Sequence, residues 1–294
     1  MRLIGLMPVR NEAWCIGFTL RIALKWCDEV VVFLHSCADD SERIAVEIAK
    51  ETNRVTVVGD NGDVWDEMRH RQAMLELARS VDISATHIAI VDADEFLTAD
   101  VVKQIRFFVE PLERGSILEL PGYNLRQDGA NLLSSLHAGL TMYHSSGIWG
   151  NRWFATAFQD SPALHWSGDR FHHREPMGCG WNRWRPIQQG DGGTLHLWGA
   201  SERRLRAKHA LYKITERLRW PQKTSQEINR YYGHATDPNQ MREFASVPPA
   251  WIEAYANLMQ YLDIGAEPWQ EQEVRSLLQV HGRETFQGLD LLGY

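Results

Sequence analysis

A chain of 294 residues, 44% hydrophobic and 23% charged, is ordinary for a soluble globular protein of one large domain or two modest ones, with a sizeable core. Its net charge of −7 gives no electrostatic reason to expect nucleic acid or an anionic membrane as partner, and points to a small molecule instead. Four cysteines (Cys15, Cys27, Cys37, Cys179) lack Cys-x-x-Cys spacing, no signal-like segment opens the chain, and no apolar run approaches the ~20 residues of a membrane helix. The expectation is reduced thiols, a cytoplasmic address and no transmembrane segment.

In chain order, Leu3–Met7 reads as a short apolar strand, Pro8–Glu12 as the loop after it, and Ala13–Cys27 as an amphipathic helix. Glu29–Leu34 is a second strand, Ala38–Ser41 a loop and N-cap, and Ser41 opens a helix to about Glu51. Arg54–Val58 is a third strand, Asp60–Asp63 a turn cluster and Val64–Val81 a helix. The strand His87–Val91 follows, then a helix over about Ala99–Val109 capped by Thr98 or Asp100. Such alternation predicts a parallel sheet wrapped by helices. After Pro111, Ser116–Leu120 and Leu140–His144 look like strands. The stretch Trp149–Trp198 holds six of the twelve tryptophans and reads as a loop-rich substrate region, or equally as an irregular aromatic core. Ser201 caps a basic helix to about Arg219, and Pro248–Asp263 and Trp269–His281 read as two more helices. The division expected is 1–200, with halves 1–110 and 111–200, followed by a helical region 201–294.

The strand His87–Val91 breaks into Asp92-Ala-Asp-Glu95 where open α/β sheets bind ligands, outside the carboxyl ends of their strands. Carboxylates at i and i+2 repel unless a cation neutralises them, so a hard divalent ion is one expectation; helix-capping acids on a surface loop are the other. The same edge gathers Asn11, Glu12, Asp39 and Asp40, which can hydrogen-bond a heterocycle or ribose, and Arg69 and Arg71, which can meet a phosphate. Each also has an ordinary role, as a cap residue or as a solvated helix face.

Pro8-Val-Arg-Asn-Glu12 after the first strand, Asp39-Asp-Ser41 after the second and Val91-Asp-Ala-Asp-Glu-Phe96 after the fourth resemble family 2 glycosyltransferases and relatives with the A-type glycosyltransferase fold, over about residues 1–215. The resemblance implies a nucleotide-sugar donor, with uridine as the base. Pro8, Val9, Arg10, Asn11, Glu12, Asp39 and Asp40 would lie near base and ribose, and Asp92 and Ala93 near ribose and sugar. Asp94 would hold Mn²⁺ or Mg²⁺, and the acceptor would be a hydroxyl, on a glycan or glycolipid for instance. His172-His-Arg-Glu175, Gly178-Cys-Gly180 and Thr194-Leu-His196 are similar to bacterial lipopolysaccharide-core-type members. That similarity implies His196 as a second metal ligand and places the basic helix with Arg203, Arg206 and Lys208 near the diphosphate, although a solvated helix face is the reading favoured for Arg203 and Arg204.

Inverting transfer needs a carboxylate that takes the acceptor proton. Among Asp169, Glu175 and Asp191, the two aspartates sit in glycine-flanked turns where Asp is favoured for backbone reasons. Glu175 follows His172, His173 and Arg174, which can orient it, and is the first candidate, with Asp191 second. Two other classes stay open: a metal-dependent hydrolase of nucleotide sugars, which needs more clustered ligands, and a non-catalytic nucleotide-sugar-binding protein.

Overall fold

The computed structural model describes residues 1–62, 65–81, 87–127, 140–145, 153–168, 173–178, 180, 182–233 and 241–294. Its first half alternates: β1 (Leu3–Val9), α1 (Ile16–Ala23), β2 (Glu29–His35), α2 (Ser41–Thr52), β3 (Val55–Asp60), α3 (Glu67–Val81), β4 (His87–Ile90), β5 (Glu95–Leu97) and α4 (Ala99–Val109). The rest carries β6 (Ile117–Gln127), β7 (Leu140–Ser145), β8 (Trp153–Gln159), β9 (Arg183–Trp184), β10 (Thr194–Gly199), α5 (Glu202–Arg219), α6 (Ser225–Gly233), β11 (Met241–Ser246) and α7 (Gln270–His281). Three 3₁₀ segments, Pro249–Trp251, Glu253–Tyr261 and Arg283–Phe286, complete it.

The chain forms two compact units. The first comprises Met1–Gly122, Trp153–His196 and Pro248–Asp263, the second Tyr123–Arg152, Leu197–Val247 and Ile264–Tyr294. Neither unit is continuous in sequence: Tyr123–Arg152 falls in the second and Pro248–Asp263 in the first.

The first unit is a mixed α/β structure whose strands run in the order β6-β8-β4-β1-β2-β3. β4, β1, β2 and β3 are parallel, Leu6 facing Val31 on one side and Ile90 on the other. β8 is antiparallel to both β4 and β6. Alternate residues of β1 serve opposite faces: Leu3, Met7 and Val9 pack with Leu20 of α1, Ile48 of α2 and Ile105 of α4. Ile4 and Leu6 pack with Met74 and Leu75 of α3. Both sheet faces are therefore covered, which is why these strands read as unbroken apolar runs and why polar chemistry is confined to their ends. In the second unit, Ala210, Leu211 and Ile214 of α5 pack against Val274 and Leu278 of α7, and β11 is antiparallel to β7.

Several elements differ from expectation for identifiable reasons. Pro8 and Val9 belong to β1 rather than to a loop, paired with Phe33 and Leu34. Pro248–Asp263 forms 3₁₀ turns, not an α-helix; its buried Ile252, Tyr255 and Leu258 recur every third residue, the period at which 3₁₀ side chains eclipse. α6 was missed although the sequence carries its capping box, Thr224 and Glu227, whose side chains bond each other's backbone N–H. β8 hid in the tryptophan-rich stretch. Cys15, Cys27 and Cys37 are free thiols, and Cys179 lies outside the described residues. Among the described residues no helix is long and apolar enough to cross a membrane.

Candidate active site

Beyond β4 the chain turns tightly, the N–H of Glu95 donating to the Asp92 carbonyl, and enters β5. β5 pairs antiparallel with β10 so that Glu95 faces His196. This register brings Asp94 Oδ2 within 3.3 Å of His196 Nε2, and Glu95 Oε1 within 3.9 Å of the other ring nitrogen. Asp94 is only 8% exposed, which corrects the expectation of a surface loop. A carboxylate oxygen and an imidazole nitrogen at that separation match two ligands of one ion at ~2.1 Å each, so the pair fits a divalent metal by distance and by donor type. Two protein ligands leave the remaining positions to other oxygens.

Within Asp92-Ala-Asp-Glu95, arginines meet Asp92 and Glu95. Asp92 accepts from Arg71 on α3 at 2.7 Å and from Arg174 at 2.7 Å. Arg174 also lies 2.6 Å from Glu95 and donates to the carbonyls of Ala155 and Ile90. Burial pulls Asp92 upward, but Arg71 and Arg174 outweigh it and hold its carboxyl below the usual range. Glu95 goes the other way: burial, aided by Asp92, pushes it up against the pull of Arg174. Arg71 is buried between Glu67, at 2.8 Å, and Asp92, so its charge is spent on neighbours and not held out to solvent. Sequence reasoning missed Arg174 in this role, having treated it as a possible orienting group for Glu175. Nothing local signals it, because its partners lie some eighty residues back in the chain.

The neighbouring loops are laced together. Asn11, at φ 55, accepts from the Ala38 N–H at 2.6 Å. Asp39 accepts from Ala13 and Ser41 N–H groups, and the Glu12 N–H donates to Ser41 Oγ. Glu12's carboxylate accepts from the Trp14 indole, Asp40 is an exposed partner of Arg43, and Arg10 is partly exposed. Pro8 and Val9 are buried in β1, and Ala93 is buried with its carbonyl accepting from Thr19 Oγ1 at 2.6 Å. Lys208 lies on α5 of the second unit. In that helix Arg203 pairs with Glu271 and Arg206 with Glu202.

Glu175 adjoins Arg174 in the chain and sits 2.9 Å from Arg183, not against Arg174, which is turned to the acids. Arg183 also pairs with buried Glu119 of β6, a carboxylate the sequence reading did not select. Asp191 is exposed in a turn closed by its own bonds to Gln188. Asp169 and His172 lie outside the described residues. Of the tryptophans, Trp166 is core, packed on Phe158, while Trp184 is exposed and Trp153 stacks with Arg185.

No family model matches the chain, and no curated protein matches its sequence. Among solved structures, S. aureus TarS is similar over 97% of this chain and 54% of its own, at 12% identity and a TM-score of 0.44. Its 1–349 fragment matches over 54% and 47%, at 16% identity and 0.38. Glucosyl-3-phosphoglycerate synthase from Mycobacterium tuberculosis, solved with Mn²⁺, uridine diphosphate and phosphoglyceric acid, matches over 40% and 43%, at 15% identity and 0.28. The chain thus spans about half the length of the TarS structures it matches.

Proposed function

We propose that this chain is an inverting, metal-dependent glycosyltransferase of the A-type fold, moving a sugar from a uridine-diphosphate donor to a hydroxyl of a glycan or glycolipid. The observation that carries the reading is the meeting of Asp94 with His196 at the carboxyl edge of the parallel sheet, beside an Asp92 fixed by Arg71 and Arg174. Mn²⁺ or Mg²⁺ held by Asp94 and His196 would supply positive charge against the departing diphosphate. The protein's own residues do the rest. Asp92, ionised because two guanidiniums hold it so, offers acceptors to donor hydroxyls. Asn11, Glu12, Asp39 and Asp40 border the nucleoside region, and the bonds of the first three to Ala13, Trp14, Ala38 and Ser41 fix its shape. Glu175 takes the acceptor proton, and Arg183 orients its carboxylate.

The test is nucleotide binding by calorimetry with and without Mn²⁺, in the parent and in Asp94→Asn. Binding of uridine diphosphate that requires metal in the parent and is lost in the variant is the expected result; metal-independent binding of equal strength in both would sink the assignment. Product analysis by NMR decides stereochemistry, and retention of the donor's anomeric configuration would exclude inversion.

A further inference from the structure

We propose that His35, Asp60 and His70 form a separate site for a borderline divalent ion of the zinc or cobalt(II) kind. The fold brings them together from three elements. His35 and Asp60 end β2 and β3 and face each other in the parallel register, and His70 projects from the first turns of α3. One ligand atom from each lies within 4.8 Å of the others, the one such His/Cys/Asp/Glu group among the described residues.

The second observation is polar and independent. Both rings are fully buried, and among the described residues both nitrogens of His35 and Nδ1 of His70 have no hydrogen-bond partner. Buried imidazoles ordinarily satisfy their ring nitrogens. The rings stand 4.6 Å apart, with Trp65 edge-on to both and Phe33 stacked on His70. An aromatic cluster explains that stacking but leaves the nitrogens orphaned, whereas a metal would use one on each ring.

Two imidazoles and a carboxylate suit zinc or cobalt(II), with solvent in a fourth position, better than magnesium or calcium, which favour all-oxygen shells. The side chains must close somewhat, since tetrahedral ligands at ~2.1 Å stand about 3.4 Å apart. Arg69 competes: it pairs with Asp60 and lies 3.5 Å from His70 Nε2. Its side chain is more than half exposed, so it can swing away. A bound ion would tie the ends of β2 and β3 to α3.

The test uses the full chain, stripped of metal and carrying Asp94→Asn to silence the other candidate site. Cobalt(II) is titrated while visible ligand-field absorption and melting temperature are followed. Uptake of a single equivalent with tetrahedral-type bands and a raised melting temperature is expected. His70→Gln and Asp60→Asn should each bind more than about tenfold more weakly, and Arg69→Gln more tightly. Should His70→Gln fail to fold by circular dichroism, Asp60→Asn decides, because that carboxylate is partly exposed. Absence of such bands in the Asp94→Asn chain, or unchanged affinity in Asp60→Asn, overturns the site.

Discussion

Two residues concentrate the chemistry, Arg174 and Glu175, adjacent in sequence and turned to different partners. Arg174 spans Asp92, Glu95 and two backbone carbonyls, so its removal strands a buried carboxylate without its cation. Arg174→Ala should cost about 3–5 kcal/mol by urea denaturation, the scale on which a broken buried pair destabilises; a loss under about 1 kcal/mol would mean that Arg71 suffices for Asp92 and that Glu95 needs no cation. Lysine at this position keeps the charge but not the forked geometry, and should recover only part of the loss. Glu175→Gln removes the proposed base while preserving shape. Turnover should fall ~10²–10⁴-fold with donor affinity barely changed, measured by steady-state kinetics beside calorimetry. Near-normal turnover would transfer the role to Asp191 or to Glu119.

At the scale of elements, Asp28 shows how the strands and helices of the first unit are joined. It accepts from the Leu3 N–H at the start of β1, at 2.7 Å, and from Arg106 on α4, at 2.6 and 3.0 Å. Burial alone would raise its pKa, but the hydrogen bonds from Arg106 and Leu3 prevail and lower it below 3.8. The stability it contributes is therefore complete above the ordinary aspartate value and is lost as the pH falls through the lower folded value. Asp28→Asn should start less stable at neutral pH and lose less than the parent between about pH 5 and about pH 3. Parallel acid limbs in the two urea-midpoint curves would show that Asp28 is not part of the acid transition. The segment Pro248–Asp263 also shows what a pattern of sequence conveys. The period-three burial of Ile252, Tyr255 and Leu258 was present in the sequence, but a helix of 3.6-residue period accommodates the same apolar residues, and only the packing of Tyr255 on Phe18 and Phe96 separates them.

For the whole molecule, function and stability are linked through mass action. A ligand that binds only the folded chain raises its melting temperature. Uridine diphosphate with Mn²⁺ should do so at concentrations where neither alone has the same effect, and EDTA should abolish the increment. An equal shift from the nucleotide in EDTA would remove metal from the donor site. That experiment is distinct from the cobalt titration of His35, Asp60 and His70, which is made without nucleotide.

What the sequence determined by itself is the alternation of strands and helices, the covered sheet and the edge where polar residues collect. Each of these follows from local hydrophobic period and from the rule that parallel strands release their loops on one side. Asp94 and His196, selected from sequence, meet because β5 and β10 pair, though only the resemblance had joined them; no spacing along the chain encodes that register. Tertiary structure alone decided that Arg71 and Arg174 hold Asp92, that Arg71 is enclosed, and that Arg183 rather than Arg174 pairs with Glu175. It also placed His35 and His70 beside Asp60, with both nitrogens of the first ring and Nδ1 of the second lacking a hydrogen-bond partner among the described residues. Charge pairing and burial depend on which distant residues share a small volume, and that is set by the closing of the whole fold, not by any local pattern.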